Sequence, residues 1–424
     1  MSEPSNGIAS VSAAQRNICL FILFLVAIFN AADRFVIQIL IEPWKEEFGL
    51  EDGMIGLLIG PAFAILYATV GIPIARLADV SNRRNIIVLA LGIWSTMTAL
   101  TGYAQNVLQL FLLRIGLGIG EAGATPPSHS LISHYYPPEK RAFAFAFLNI
   151  GNSLGSIFVF FIGSWLLVAY GWRTLLIVMG VPGILVAVIA YFVLVETRKS
   201  APLPSIPSIF AESFRAAREL FAIPAYRHLA ICFTIYGFIS LGAFQWDVPL
   251  FSRSFGLEVS TVAPLYGVAA TLSSLTGLVI GGWLGNYLST RDISWLARLP
   301  ALAIFAAFPF LFAKYLVPDF YIAMVLMVLG SLSLIMFVGP FYACVQAVAG
   351  EKNRSMGIAI LIFLTNILGY ALGASVAGFL SDALKPFAGA DSLRYAVLII
   401  VLLMPWAGFH VYRASRLMVG KTFS

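Results

Sequence analysis

Charge is scarce in this chain: 11% of its 424 residues are Asp, Glu, Lys or Arg, while 60% are hydrophobic. Together with a mean hydropathy of +0.91, that balance excludes an ordinary water-soluble domain, in which roughly 25% of residues are charged. Cysteine and histidine are scarce too, at three and four residues. Cys19, Cys232 and Cys344 fall in different apolar segments, so no disulfide framework or clustered metal site can be read from them, and small core residues are expected. His129 and His134 are five apart without further ligands and read as polar edge residues rather than a metal site. The sequence offers no Ser/His/Asp arrangement, Walker motif or soluble ATPase domain, which disfavours an enzyme or a primary pump. Gly118, Gly120 and Gly123 match the dinucleotide fingerprint by letters, but no strand precedes them. Helix packing, or a hinge before Pro126 and Pro127, is the better reading of those glycines.

What the chain has in abundance is apolar runs. They recur at about 20 residues, long enough to cross a hydrocarbon layer of ~30 Å as helices. Short alternating strands of a membrane barrel are not seen, so the backbone must be satisfied within helices. Twelve spans are expected, near 17–41, 54–75, 86–104, 107–127, 142–169, 173–195, 228–251, 261–288, 295–316, 319–348, 356–381 and 394–413. The polar start, MSEPSNGIASVSAAQRN, lacks the pattern of a cleaved secretory signal, so the first span is expected to be retained. The division is a six-helix bundle at 1–195, a linker at 196–227 and a second six-helix bundle at 228–424. Within the linker, AESFRAAREL is expected to form a short interfacial helix.

Charge then orients the chain. With the N-terminus inside, 18 basic residues, among them Arg83, Arg84, Lys140, Arg141, Arg215 and Arg413, share the side of both termini and the linker. Six, including Lys45, Arg253 and Lys314, face the other side, and Arg34 and Arg114 lie within spans. The positive-inside rule puts both termini in the cytoplasm of an inner or cell membrane. It also explains the pI of 9.2 without a nucleic-acid partner.

Ions at membrane depth are costly and are retained where they pair or line a pathway. Asp33 and Arg34 interrupt IFNAADRFVIQIL, and Arg114 and Glu121 interrupt LLRIGLGIGEAGATPP. At about 1.5 Å per residue, Asp33 and Arg114 both lie roughly 10–12 Å from the outer face, a level at which they can pair. Glu121 follows Arg114 by seven residues, two turns along the same face. Arg34 or Arg114 is a candidate for an anionic headgroup, because a guanidinium fork matches phosphate. Asp33 and Glu121 are the candidates for carrying a proton, and a permanent structural ion-pair network is the rival. Asn30, one turn before Asp33, is a cavity contact or an interhelical hydrogen bond. Asp247 and Arg253 read as interfacial charges. The second bundle is otherwise greasy, and Phe238, Phe244, Phe337 and Tyr342 are candidates for passing a substrate tail.

The halves also echo each other at an offset of roughly 210–220 residues, as GNSLGSIFVFFIGSWL does with NILGYALGASVAGFLSD. Two parallel bundles and one long linker are the layout of the major facilitator superfamily. GIPIARLADVSNRR resembles that superfamily's loop signature: Ala75, Val80 and Asn82 depart from it, while Asp79, Arg83 and Arg84 keep its charged core and imply a cytoplasmic gate. NAADRF, RIGLGIGEAGATPPSHSLISHYYPPEKRAFAFAF, and GWR at 171–173 resemble the spinster-type lipid transporters. Organic-anion symporters of the superfamily share the Asp-Arg and Glu-Ala pairs. The resemblance implies an all-α transporter, functional as a monomer, with no cofactor beyond a coupling proton. Its cargo would be a lysophospholipid or a phosphorylated sphingoid base such as sphingosine-1-phosphate. An organic-anion/proton symporter, a multidrug antiporter, and a membrane lipid receptor without transport are the alternatives.

Overall fold

The computed structural model describes residues 12–197 and 206–418, apart from the side chains of residues 72, 75, 76, 79, 138, 142 and 206–213. Among the described residues every regular element is helical. In order these are α1 (Ala13–Phe35), α2 (Ile37–Phe48), α3 (Asp52–Ile59), α4 (Pro61–Val80), α5 (Arg83–Thr101), α6 (Val107–Glu121), α7 (Thr125–Tyr135), α8 (Pro138–Phe158), α9 (Ser164–Val193) and α10 (Ile206–Ala222). There follow α11 (Pro224–Tyr236), α12 (Asp247–Phe255), α13 (Val259–Ser289), α14 (Trp295–Ala313), α15 (Phe320–Ile335), α16 (Val338–Leu364), α17 (Leu372–Ala388), α18 (Ser392–Val401) and α19 (Met404–Met418). Starts are set by side-chain caps: Ser12, Asn82, Asn106 and Asp319 each accept the backbone N–H three residues on.

Nine runs among the described residues are long and apolar enough to span a membrane, the longest covering 55 and 99 residues. Neither can be one helix. Gly171 (φ 79°) splits the first, and Gly350 (φ 71°) and Gly389 (φ 55°) split the second, a left-handed backbone that glycine adopts without steric cost. The nine runs therefore hold the expected twelve crossings.

The helices sort into two compact units, Met1–Ile37 with Ile65–Ile209, and Gln38–Ala64 with Phe210–Ser424. In the first, α1 packs on α8 and α9, and α5 on α6 and α9. Its centre is the fully buried face of α5: Ile87, Leu91 and Trp94. In the second, α11 packs on α19, α14 on α15 and α19, and α17 on α18 and α3. Phe233, Phe337 and Phe341 stack at its centre, with Phe337 and Phe341 4.5 Å apart between ring centroids.

This division differs from the sequence-based one at 38–64. A long-range contact ties this segment to the second unit: Asp382 of α17 caps α3, accepting the N–H groups of Asp52 (3.0 Å) and Gly53 (2.6 Å). The expected linker helix is present as α10. Residues 198–205 of the linker lie outside the described residues, as does the side chain of Asp79.

Candidate functional site: a charged cluster in the first unit

The four charges expected to meet in the first bundle do meet, but in a different pairing. Arg34, one residue from the end of α1, donates through Nε to Glu121 Oε2 at 2.8 Å. Asn30, one turn earlier, donates to the same oxygen at 3.2 Å. Glu121 is the last residue of α6, before a turn at 122–124 that separates it from α7. Its side chain is fully buried while that of Arg34 is 37% exposed. The guanidinium also lies over the ring of Tyr67, 4.7 Å from its centroid. The other carboxylate oxygen, Glu121 Oε1, is buried and has no hydrogen-bond partner among the described residues.

Asp33 points elsewhere. Its Oδ1 accepts from the Thr98 hydroxyl of α5 at 2.7 Å, and the residue is 3% exposed. Arg114, 5% exposed, interacts electrostatically with both carboxylates. Asp33 and Arg114 interact, as expected, within a wider cluster in which Arg34 and Glu121 form a hydrogen-bonded ion pair. Depth along a helix gave the level of each group, but its direction around the axis decides the partner. Close approach of α6 to α5 is allowed by Gly120, where a Cβ would stand 2.8 Å from the backbone nitrogen of Trp94.

Elsewhere the structure places the expected site residues as follows. Arg83 is fully buried and binds within its own unit: Nη2 meets Glu196 Oε1 at 2.5 Å, and Nη1 meets Ser130 Oγ at 3.0 Å and His134 Nδ1 at 2.9 Å. It joins the start of α5 to α7 and to the segment after α9. Arg84 lies over Tyr191, 4.9 Å from the ring centroid. Phe337 is fully buried in the aromatic stack, whereas Phe238, Phe244 and Tyr342 are partly exposed. Among the described residues, no three His, Cys, Asp or Glu side chains group to hold a metal.

One expectation is overturned. Asp247 is no interfacial charge: it is 1% exposed and forms an ion pair with Lys314, itself 1% exposed, at 2.8 Å. A 3-10 turn at Ala243–Trp246 draws the start of α12 into the unit, and the lysine's apolar stem permits the same at the end of α14. Arg253 of α12 is partly buried and binds Glu42 and Asp52, the latter also receiving Lys45. The available signal was the repeat offset, since Asp247 follows Asp33 by 214 positions (247 minus 33).

Residues 23–374 match the Major Facilitator Superfamily. The chain belongs to this superfamily. An MFS-type efflux pump of Mycolicibacterium smegmatis is 30% identical over 396 residues, covering 92% of this chain and 90% of that protein. The hexuronate transporter of Bacillus subtilis is 23% identical over 417 residues, 94% of each chain. A solved bacterial homolog to the human lysosomal transporter Spinster, inward-facing and unoccupied, matches with a TM-score of 0.85 at 28% identity, covering 97% of this chain and 99% of that one. The superfamily, the spinster-like resemblance and the all-helical fold expected from the sequence are borne out. The molecule is a multi-pass membrane transporter.

Proposed function

We propose that this transporter moves an amphipathic anion, a lysophospholipid or phosphorylated sphingoid base, by proton-coupled alternating access. The observation that carries the reading is the asymmetry of the Arg34–Glu121 pair. Its cation is 37% exposed, its anion is fully buried, and one carboxylate oxygen has no hydrogen-bond partner among the described residues. A proton bound at Glu121 Oε1 weakens the charge-assisted bond to Arg34. The guanidinium, still stacked on Tyr67, is then available to an anionic headgroup. Asp33, held by Thr98, provides the second exchangeable carboxyl, and Arg114 couples the two electrostatically.

The four charges sum to zero, so one proton leaves the cluster with a net positive charge that favours an anion. Transport requires that proton and anion bind the two alternating states with different affinity, because equal affinity shifts no equilibrium. Phe238, Phe244, Phe337 and Tyr342 are assigned to the tail, and Asp79, Arg83 and Arg84 to the cytoplasmic gate. Both termini are cytoplasmic on the positive-inside count. The unit of function is a monomer without a cofactor.

A second reading, a smaller organic anion, is favoured by the hexuronate transporter, which aligns over 94% of this chain. The test is flux of labelled lysophospholipid into proteoliposomes in competition with glucuronate. Lipid flux indifferent to glucuronate supports the amphiphile. Glucuronate flux without lipid flux would move the assignment to the second reading. Binding of lipid without any flux would make the protein a receptor.

A further inference from the structure

The linker helix α10 ends at Ala222 and α11 begins at Pro224. Between them Ile223 is extended (φ −82°, ψ 114°), and Pro224 has no N–H with which to continue the preceding helix. The break fixes where α10 lies. The α11 helix opens the run Pro224–Phe255, which is long and apolar enough to span a membrane. A helix joined to the mouth of a span by a single extended residue stays at the bilayer surface. Its angle is held by Phe221, which packs edge-on to Tyr226 of α11 with ring centroids 5.5 Å apart.

Over residues 214–222 the side chains of α10 divide among three sides. Leu220 is fully buried and faces the body of the second unit. Phe214, Ala217 and Phe221, at i, i+3 and i+7, form an apolar side. Phe214 is 76% exposed and Phe221 36%. Arg218 and Arg215, both exposed, follow on the flank turned away from Leu220, since successive residues advance about 100° around the axis. The acidic residues of the helix do not cancel these arginines at the apolar side. Position 212, a glutamate, is two residues before Phe214 and therefore about half a turn round. Glu219 is bound by Lys352 and Asn353 of α16, each at 3.2 Å. Counting Arg215, Arg218 and Lys352 against Glu212 and Glu219, the helix and its partner keep a net charge of +1.

We propose that α10 docks on anionic phospholipid of the adjoining leaflet, with Phe214 and Phe221 among the acyl chains and Arg215 and Arg218 on headgroup phosphates. Burying the two rings at the headgroup boundary removes apolar surface from water, and the arginine stems lie along that boundary while their guanidinium groups reach the phosphates. The planar fork matches a phosphate bidentately. Two observations name the bilayer as the occupant. The α11 span holds α10 against it, and the basic residues of the chain concentrate on the linker's side of the membrane, 18 against 6. The docking uses none of the residues assigned to cargo or proton, and it holds whichever cargo is carried.

Hydrogen exchange of the full-length protein tests it, in nanodiscs of phosphatidylcholine alone and of phosphatidylcholine mixed with phosphatidylglycerol, one copy per disc. Attraction to an anionic surface is worth roughly fivefold per basic residue. Exchange over 214–222 is therefore expected to slow about 25-fold in the anionic discs at low salt, and much less at high salt. Arg215→Gln with Arg218→Gln should abolish the difference between the discs, and Arg215→Lys with Arg218→Lys should keep most of it. Both positions are exposed, and unchanged exchange in α11 to α19 confirms that the variants are folded. Should they not fold, the wild-type comparison of lipids and salt still decides. Equal exchange in the two kinds of disc, or slowing that survives the glutamine pair, overturns the inference. Protection that appears only when two copies share a disc also overturns it, and assigns the apolar side to a second copy of the chain.

Discussion

Replacing Glu121 by glutamine removes one negative charge from the buried end of the Arg34 pair with little change of shape. The amide oxygen can still accept from Arg34 Nε, at the 2.8 Å seen for the carboxylate. Arg34 stays charged, so what is lost is its attraction to an opposite charge. For a pair with one exposed and one buried partner this is roughly 1–1.5 kcal/mol, between the ~0.2–1 kcal/mol of an exposed pair and the ~3–5 kcal/mol of breaking a buried one. Because Arg34 is 37% exposed, solvent reduces the cost further, and the fold is expected to survive with a small drop in melting temperature. The same energy no longer has to be overcome by an anion competing for Arg34. Since about 1.4 kcal/mol is tenfold in an equilibrium constant, the variant should bind a lysophospholipid about tenfold more tightly at neutral pH. Its affinity should also lose its gain on acidification, because the amide mimics the protonated acid. Titration of a fluorescent lysophospholipid into wild type and variant at neutral and acid pH measures both effects. Unchanged affinity with the wild-type pH dependence intact, in folded protein, would refute the role given to Glu121.

Arg34→Lys keeps the charge but loses the planar fork and the stacking on Tyr67, so lipid affinity should fall about tenfold with little change in stability, as read by the same titration and by thermal unfolding. Arg83→Ala leaves the largely buried Glu196 without its cation and should destabilise by about 3–5 kcal/mol, visible as a large fall in melting temperature. Glu219 of α10 accepts from Asn353 and Lys352, and these partners hold its carboxyl below the usual carboxylate range. A depressed carboxyl contributes its stabilisation above the ordinary carboxylate pKa and loses it as pH falls through the lowered one. Hydrogen exchange in α10 should therefore speed up on acidification below the ordinary carboxylate range, and Glu219→Gln should remove that dependence.

The crossings, the repeat and the linker helix are legible in the sequence because hydrophobic length and charge bias report on the membrane directly. The cluster of Asp33, Arg34, Arg114 and Glu121 is legible for the same reason, since ions inside apolar runs stand out. The pairing within it is not. Asp33 and Arg114 share a depth, but Arg34 points to Glu121 and Asp33 to Thr98, a matter of rotation that one sequence does not encode visibly. The Asp247–Lys314 pair escapes for another reason. Both residues lie near the ends of apolar runs, where a charge is ordinarily solvated, and only the 3-10 turn before α12 and the packed rings bury them. Residues 38–64 join the second unit through the capping of α3 by Asp382, a contact 329 or more positions apart in sequence.

The central claim, that carboxyls of the first cluster carry the coupling proton, is tested most directly by lysophospholipid flux in proteoliposomes with and without a pH gradient, comparing wild type with Asp33→Asn. Asparagine can still accept from Thr98, so the fold is spared while the titratable group is lost. The account predicts gradient-stimulated flux in the wild type and flux indifferent to the gradient in the variant. Equal stimulation in both, or wild-type flux that ignores the gradient, would contradict it and leave Asp33 a structural residue.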